Sequence, residues 1–370
     1  MKHTILLSTL CLAVAFTSCK KKDPEPAPAN PSTPAYTIPT TYNFSNVSVT
    51  TSTNAIAMLG ELAGYIKTTH TTTQTTQPTL NAKKLKDLYA NAASQFTNSV
   101  LNGSNFSLKE KTANEFSLQT LLESYDDAEK ASVFAALTPT TETAKTGVAG
   151  KLISPSRAIL VDANGLEYKE QTDKGLMGAV LYYQATTILK NISTFDNVTV
   201  TAGVTAQEKA WDEAFGYFGV PIDFPTNTVG LKNWGSYCNS VNAAIGSNKT
   251  MMDAFLKGRA AITNKDNTVR DEARTIVINT WEKVAAAKCI AYLKATKTNF
   301  PVAADRHHPL SEGIGFINAF AYNPSKKITD AQILQLKSYF GINLYTITTT
   351  NLDDAIATLA SIFNMDASKL

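Results

Sequence analysis

The chain has 370 residues, 44% of them hydrophobic and 18% charged, with a formal net charge of +3. So small and evenly mixed a charge leaves no basic stripe outside the extreme N-terminus, which excludes nucleic acid as an expected partner. The length predicts one large domain or two ordinary ones of roughly 100–200 residues each, and the composition describes a folded body whose polarity comes from Thr, Asn and Ser as much as from charge.

Residues 1–18 open with Lys2 and His3, continue in an apolar stretch from Ile5 to Phe16 and end on small residues before Cys19, the layout of an export signal. The stretch is shorter than the roughly 20 apolar residues a spanning helix needs. Phe16-Thr17-Ser18-Cys19 resembles a loose bacterial lipobox, in which the cysteine is acylated and the signal removed ahead of it. Two or three acyl chains anchor a protein stably, at about 0.8 kcal/mol per buried methylene. An ordinary secretory signal that contains Cys11 and Cys19 is the alternative. Residues 19–41 then carry Lys20, Lys21 and Lys22 followed by Pro24, Pro26, Pro28, Pro31, Pro34 and Pro39. That run predicts an extended spacer, roughly 50–60 Å if stretched at about 3.1 Å per residue. The expectation is a body at 42–370 held outside the cytoplasm in the cell envelope, with membrane contact through Cys19. An outer-membrane anchor facing the periplasm or the exterior is its form.

From Ala55 onward the periodicity is helical. Ala55, Met58, Leu59, Leu62 and Ile66 follow the i, i+3, i+4, i+7 stripe. A Thr-rich loop at 68–79 separates this helix from further helical patterns at 81–95 and 109–136, and a polar loop follows at 138–150. Ile159, Leu160 and Val161 predict a short strand ahead of the turn Asp162-Ala163-Asn164-Gly165. Thr172 is a good N-cap for a helix running through Leu176, Val180, Tyr183, Gln184 and Ile188. Residues 205–218 form the next helix, stopped by Gly219 and Pro221. The most regular stripe spans 267–297, and helices at 309–322, 330–340 and 352–363 close the chain. Long amphipathic segments with almost no alternating strands predict an all-α bundle fold. If there are two bundles, they meet near 138–168.

Once a signal is removed and Cys19 is lipidated, the body keeps Cys238 and Cys289, either as a disulfide or as two buried free thiols. It also keeps His70, His307 and His308, with no His-Glu-x-x-His pair.

Three stretches combine ionisable residues with glycines and aromatics. In 208–224, Trp211, Ala214, Phe215 and Phe218 share one helix face, Glu213 points nearly opposite and Asp212 lies on a flank. That pattern is a core face backed by solvated acids, or, between two bundles, an interior polar site lined by Glu213 and by Tyr217 at i+4. In 305–316, Pro309 suits a first helical position, which makes His308 the cap and stacks it on Glu312 at i+4. The pair could share one metal ion or one hydrogen bond, or serve only as a cap and a dipole-stabilised carboxylate. Arg259, set among Gly258, Ala260, Ala261 and Ile262, calls for a carboxylate partner, with Asp212, Glu213 and Glu312 the candidates.

Trp211-Asp212-Glu213-Ala214-Phe215-Gly216-Tyr217-Phe218-Gly219, Lys174-Gly175-Leu176-Met177-Gly178-Ala179, Gly258-Arg259-Ala260-Ala261-Ile262 and His308-Pro309-Leu310-Ser311-Glu312-Gly313 resemble the motifs of an uncharacterised family of Gram-negative lipoproteins. That family is more distantly similar to the imelysin-like proteins. The resemblance implies a pair of helical bundles, an envelope location and a link to iron acquisition. Imelysins carry Gly-x-His-x-x-Glu and were once classed as metallopeptidases; here the nearest match, His308-x-x-x-Glu312, is one residue longer and lacks the glycine.

Three functions follow as expectations. The first is a lipid-anchored, non-enzymatic binding protein holding a divalent metal, iron or a small polar ligand. Its expected ligand residues are Asp212, Glu213, Tyr217, Arg259, His308, Ser311 and Glu312, with His308 and Glu312 as metal ligands. The second is a structural or adhesive envelope module in which these groups only pin helices together, with another envelope protein as a possible partner. The third is a metal-dependent peptidase. One histidine and one carboxylate are too few for a tight site, so further ligands are sought among Asp212, Glu213 and Glu167.

Overall fold

The computed structural model describes residues 35–68, 81–113 and 141–370. The signal at 1–18, Cys19, most of the 19–41 spacer, nearly all of the Thr-rich loop and most of the 109–136 helix lie outside the described residues. Tyr36–Leu370 forms one unit, built almost entirely of helices with two small antiparallel ribbons. The all-α expectation is met.

The first long helix, α1 (Thr50–Lys67), buries Ala55, Met58, Leu59, Leu62 and Ile66, the stripe its sequence displays. After α2 (Ala82–Ala90) and the single turns α3 (Ser99–Asn102) and α4 (Leu108–Lys111), the chain forms a hairpin of β1 (Gly150–Ile153) and β2 (Ala158–Val161), registered Gly150 to Val161. Asp162 ends the hairpin by accepting the amides of Asn164 and Leu166. Because that turn closes at Leu166, the next helix, α5 (Tyr168–Leu176), starts at once with Glu167 in the cap position. Thr172, expected as the cap, is instead buried inside α5.

A π-helical stretch, Met177–Tyr182, joins α5 to α6 (Tyr183–Lys190), and all six of its residues are buried. Such a stretch shifts the carbonyl register of a helix, and here the Met177 carbonyl accepts the Trp234 indole N–H at 3.0 Å. A two-residue ribbon, β3 (Val200–Thr201) with β4 (Val204–Thr205), leads into α7 (Ala206–Phe218), which opens with a Thr205–Glu208 capping box and stops at left-handed Gly219. The helices α8 (Asn233–Ile245) and α9 (Ser247–Thr263) carry no clear stripe in the sequence. The first is rich in Asn and Ser, and the second is buried on most sides, Arg259 included, so neither alternates polar and apolar faces.

The central element is α10 (Asn267–Thr298), 32 residues long and so about 48 Å at 1.5 Å per residue. It packs against α8, α9, α11 (Ala303–Ala319) and α13 (Thr349–Phe363). Its neighbours on several sides explain why Trp281, Glu282, Ala285, Ala286 and Cys289 are buried beyond the single predicted face. Trp281 meets Phe218, Tyr182 and Trp234 at ring separations of 5.0, 5.6 and 5.9 Å, and Trp234 meets Phe316 of α11 at 5.6 Å. This aromatic core sets α11 against α5, α8 and α10. Pro309 is not at the start of α11 but inside it, so His308 is an interior helical residue rather than a cap. The proline costs that helix one backbone bond, to the carbonyl of Asp305. The chain closes with α12 (Asp330–Phe340) and α13, both opened by capping boxes. Cys238 and Cys289 are buried free thiols. Among the described residues no helix is long and apolar enough to cross a membrane.

Candidate functional site

The helices α5 and α11 meet along a polar seam. Gly315 allows the approach, since a Cβ there would lie 2.7 Å from the Lys174 Cβ. Ser311 fastens the seam: its hydroxyl accepts the Glu167 amide at 3.0 Å, capping α5 from the neighbouring helix, and its carbonyl accepts from Gln171 at 2.7 Å. Helical spacing then places Glu167, Glu170 and Lys174 opposite His308 and Glu312.

His308 sits at the centre. Its Nδ1 is 2.8 Å from Glu167 Oε2 and 3.7 Å from Glu170 Oε1, and its Nε2 is 3.6 Å from Glu312 Oε2. The i, i+4 stacking of His308 on Glu312 is therefore present. Glu167 and Glu170 side chains are 1% exposed and His308 is 23% exposed, so the imidazole is the solvent-facing edge of an otherwise buried group. Lys174 Nζ lies 2.7 Å from Asp173, 3.1 Å from Glu170 Oε2 and 3.3 Å from Glu312 Oε1. Its approach to Glu170 Oε2 is off the hydrogen-bonding direction, so that buried oxygen has a charge contact but no hydrogen bond. Lys169 pairs with the other oxygen of Glu170.

Burial opposes charge on every member, and the neighbours decide the outcome. Burial and the nearby Glu170 push Glu167 above the usual carboxylate range despite its bond to His308. Glu170 is also desolvated, but Lys174, Lys169 and His308 hold it down at about 2. Burial alone would lower His308; Glu167, Glu170 and Glu312 outweigh it and raise the imidazole above its ordinary value. Burial raises Glu312. On the far side, α10 contributes Lys288 and Tyr292 and α8 contributes Tyr237, with burial pushing Lys288 below its ordinary value.

His307 takes no part. Its Nδ1 lies 2.8 Å from the Gly165 carbonyl, its ring packs on Tyr345, and burial with the adjacent Arg306 pushes it down to about 4.

The other sequence candidates belong to α7 and α9. Arg259 donates from Nε to Asp212 at 2.7 Å and from Nη1 to Glu208 at 2.8 Å. Tyr42 adds a hydroxyl to Asp212 at 2.9 Å, and Phe44 covers the guanidinium. Of the three candidate partners for Arg259, only Asp212 is used; Glu213 and Glu312 are not. Glu208 was hidden by its other role, since its second oxygen accepts the Thr205 amide in the capping box. Glu213 is half-buried and accepts from Tyr217 at 3.3 Å, the i+4 pair expected. The seven sequence candidates are thus divided between two helix pairs. Glu170, Lys288, Tyr237 and Tyr292 had no signal beyond ordinary helical composition, whereas Lys174 opened one of the family-resembling motifs and Glu167 was a candidate ligand.

The donor atoms of Glu167, Glu170 and His308 all lie within 4.8 Å of one another, a group able to hold a metal ion. Carboxylate and imidazole suit first-row divalent ions, although Lys169 and Lys174 already stand against the two oxygens of Glu170. Fold and site together define an all-helical protein with a histidine–carboxylate–lysine cluster between two helices. Residues 39–339 match the family described as Domain of unknown function (DUF4856), so the chain belongs to that family, and the match takes in both clusters. No curated protein and no solved structure matches the chain.

Proposed function

We propose that the protein is a lipid-anchored binding protein of the cell envelope whose α5–α11 cluster takes a divalent cation on Glu167, Glu170 and His308. The observation that carries this reading is the convergence of these three donors, one atom from each within 4.8 Å of the others, on two nearly fully buried carboxylates and an imidazole. Glu312, on the far ring nitrogen, acts as the outer carboxylate that orients a metal-bound imidazole. A bound ion would take the place of the proton between His308 and Glu167, so these residues would link its uptake to release of a proton. The Cys19 lipobox, the Pro-rich spacer and the resemblance to imelysin-like proteins support an outer-membrane anchor, a paired-bundle body and iron as the cargo.

A second reading, a purely structural cluster, is favoured by Lys169 and Lys174, whose ammonium groups already neutralise Glu170. Elemental analysis separates the two. After incubation with iron or zinc and removal of excess, the protein retains close to one ion per chain, and Glu170→Gln and His308→Ala each abolish retention. Equal retention by the variants, or none by the parent protein, supports the structural reading. Transfer of the protein from the membrane to the soluble fraction by Cys19→Ser tests the anchor.

A further inference from the structure

Lys288 differs from the other cations of the cluster. Lys174 touches Asp173, Glu170 and Glu312, and Lys169 touches Glu170. Lys288, half-buried on α10, has no carboxylate within ion-pair distance and no hydrogen bond among the described residues. Its ammonium is held instead over two aromatic faces, 4.5 Å from the Tyr292 ring centre and 5.6 Å from that of Tyr237. Ring faces attract the charge but accept none of its N–H donors in ordinary hydrogen bonds. A half-buried ammonium held in this way is a cation lacking its anion.

Glu312 acts on Lys288 only through space, and that carboxylate already faces Lys174 at 3.3 Å. Lys288, Tyr237 and Tyr292 are all half-buried rather than sealed in the core.

We propose that Lys288, framed by Tyr237 and Tyr292, is an oxyanion subsite that receives a carboxylate or phosphate group of a small ligand beside the cation cluster. The inference takes from the preceding section that this cluster is a ligand site, but it does not require the metal. The full chain, first stripped with a chelator, is titrated calorimetrically with inorganic phosphate and separately with acetate, then again after loading with zinc. Binding of either anion is expected, weakened about tenfold or more by Lys288→Met, as for loss of a hydrogen bond to a charged group. Lys288→Arg is expected to retain it, and Lys249→Met, which removes an exposed lysine, to leave it unchanged. Thermal unfolding verifies that the variants fold. Preference for phosphate or for acetate identifies which oxyanion is recognised. No binding by the parent chain, or equal binding by Lys288→Met, overturns the proposal. Anion binding without zinc uptake leaves it standing and removes the metal reading; zinc uptake with anion binding indifferent to Lys288 does the reverse.

Discussion

Replacing Arg259 with Met tests how strongly the α7–α9 cluster holds the fold. The methionine keeps most of the aliphatic stem but removes a guanidinium that faces the Phe44 ring and donates to Asp212 at 2.7 Å and to Glu208 at 2.8 Å. Asp212 is 0% and Arg259 2% exposed, so the pair is cut off from bulk water. Two carboxylates are then left facing each other without a cation. Removing one partner of a buried pair costs about 3–5 kcal/mol, and the full amount applies while both carboxylates stay ionised. Asp212 has an escape, because burial already raises it above its ordinary value against Arg259 and Tyr42. A carboxyl group raised on folding binds more protons in the folded than in the unfolded state between its two pKa values, so stability falls as pH rises through that window. The loss caused by Arg259→Met should accordingly shrink on acidification. Urea unfolding at several pH values reads it as a shift in midpoint at constant slope. The double variant with Asp212→Asn, which keeps an acceptor for Tyr42, should recover part of the loss as a coupling term. A loss under about 1 kcal/mol at neutral pH, the size of an exposed ion pair, would refute the reasoning, as would one that is indifferent to pH.

The adjacent histidines should titrate apart, His307 at about 4 and His308 above its ordinary 6.5. Imidazole resonances followed by NMR check this, and Glu167→Gln should lower His308; a His308 titrating below its ordinary value would be the contrary result. The stability that His308 contributes is complete below 6.5 and is lost as pH rises through its folded value. Two glycines should respond oppositely to alanine. At Gly258 the new Cβ would lie 2.0 Å from the Trp211 ring, whose indole is tied to the Phe255 carbonyl, so overpacking should cost about 1–3 kcal/mol or more. At exposed Gly60 in α1 nothing lies within 4 Å, and the same change should gain about 0.5–1 kcal/mol. Chemical unfolding of both variants decides, and a destabilised Gly60→Ala would contradict it.

Sequence alone determined which segments become helices wherever one face is buried and the other solvated. The α1 stripe, the Thr205 start and Gly219 stop of α7, and the bounds of α12 were all legible, because periodicity and capping chemistry are local. The same locality explains what was lost. In α9 burial surrounds the helix, so no stripe marks it, and at Pro309 the local rule for a helix start was overridden by a helix that begins at Ala303. His308 and Glu312 announced each other because they are one turn apart. Their partners are side chains of other helices: Glu167 lies 141 positions away from His308, and Lys288 and Tyr237 come from helices met only through packing. Only the tertiary structure could decide that Arg259 belongs with Asp212 and Glu208 and that His308 belongs with Glu167 and Glu170. The choice depends on which helices the aromatic core brings side by side, and long-range packing leaves no periodic trace in the chain.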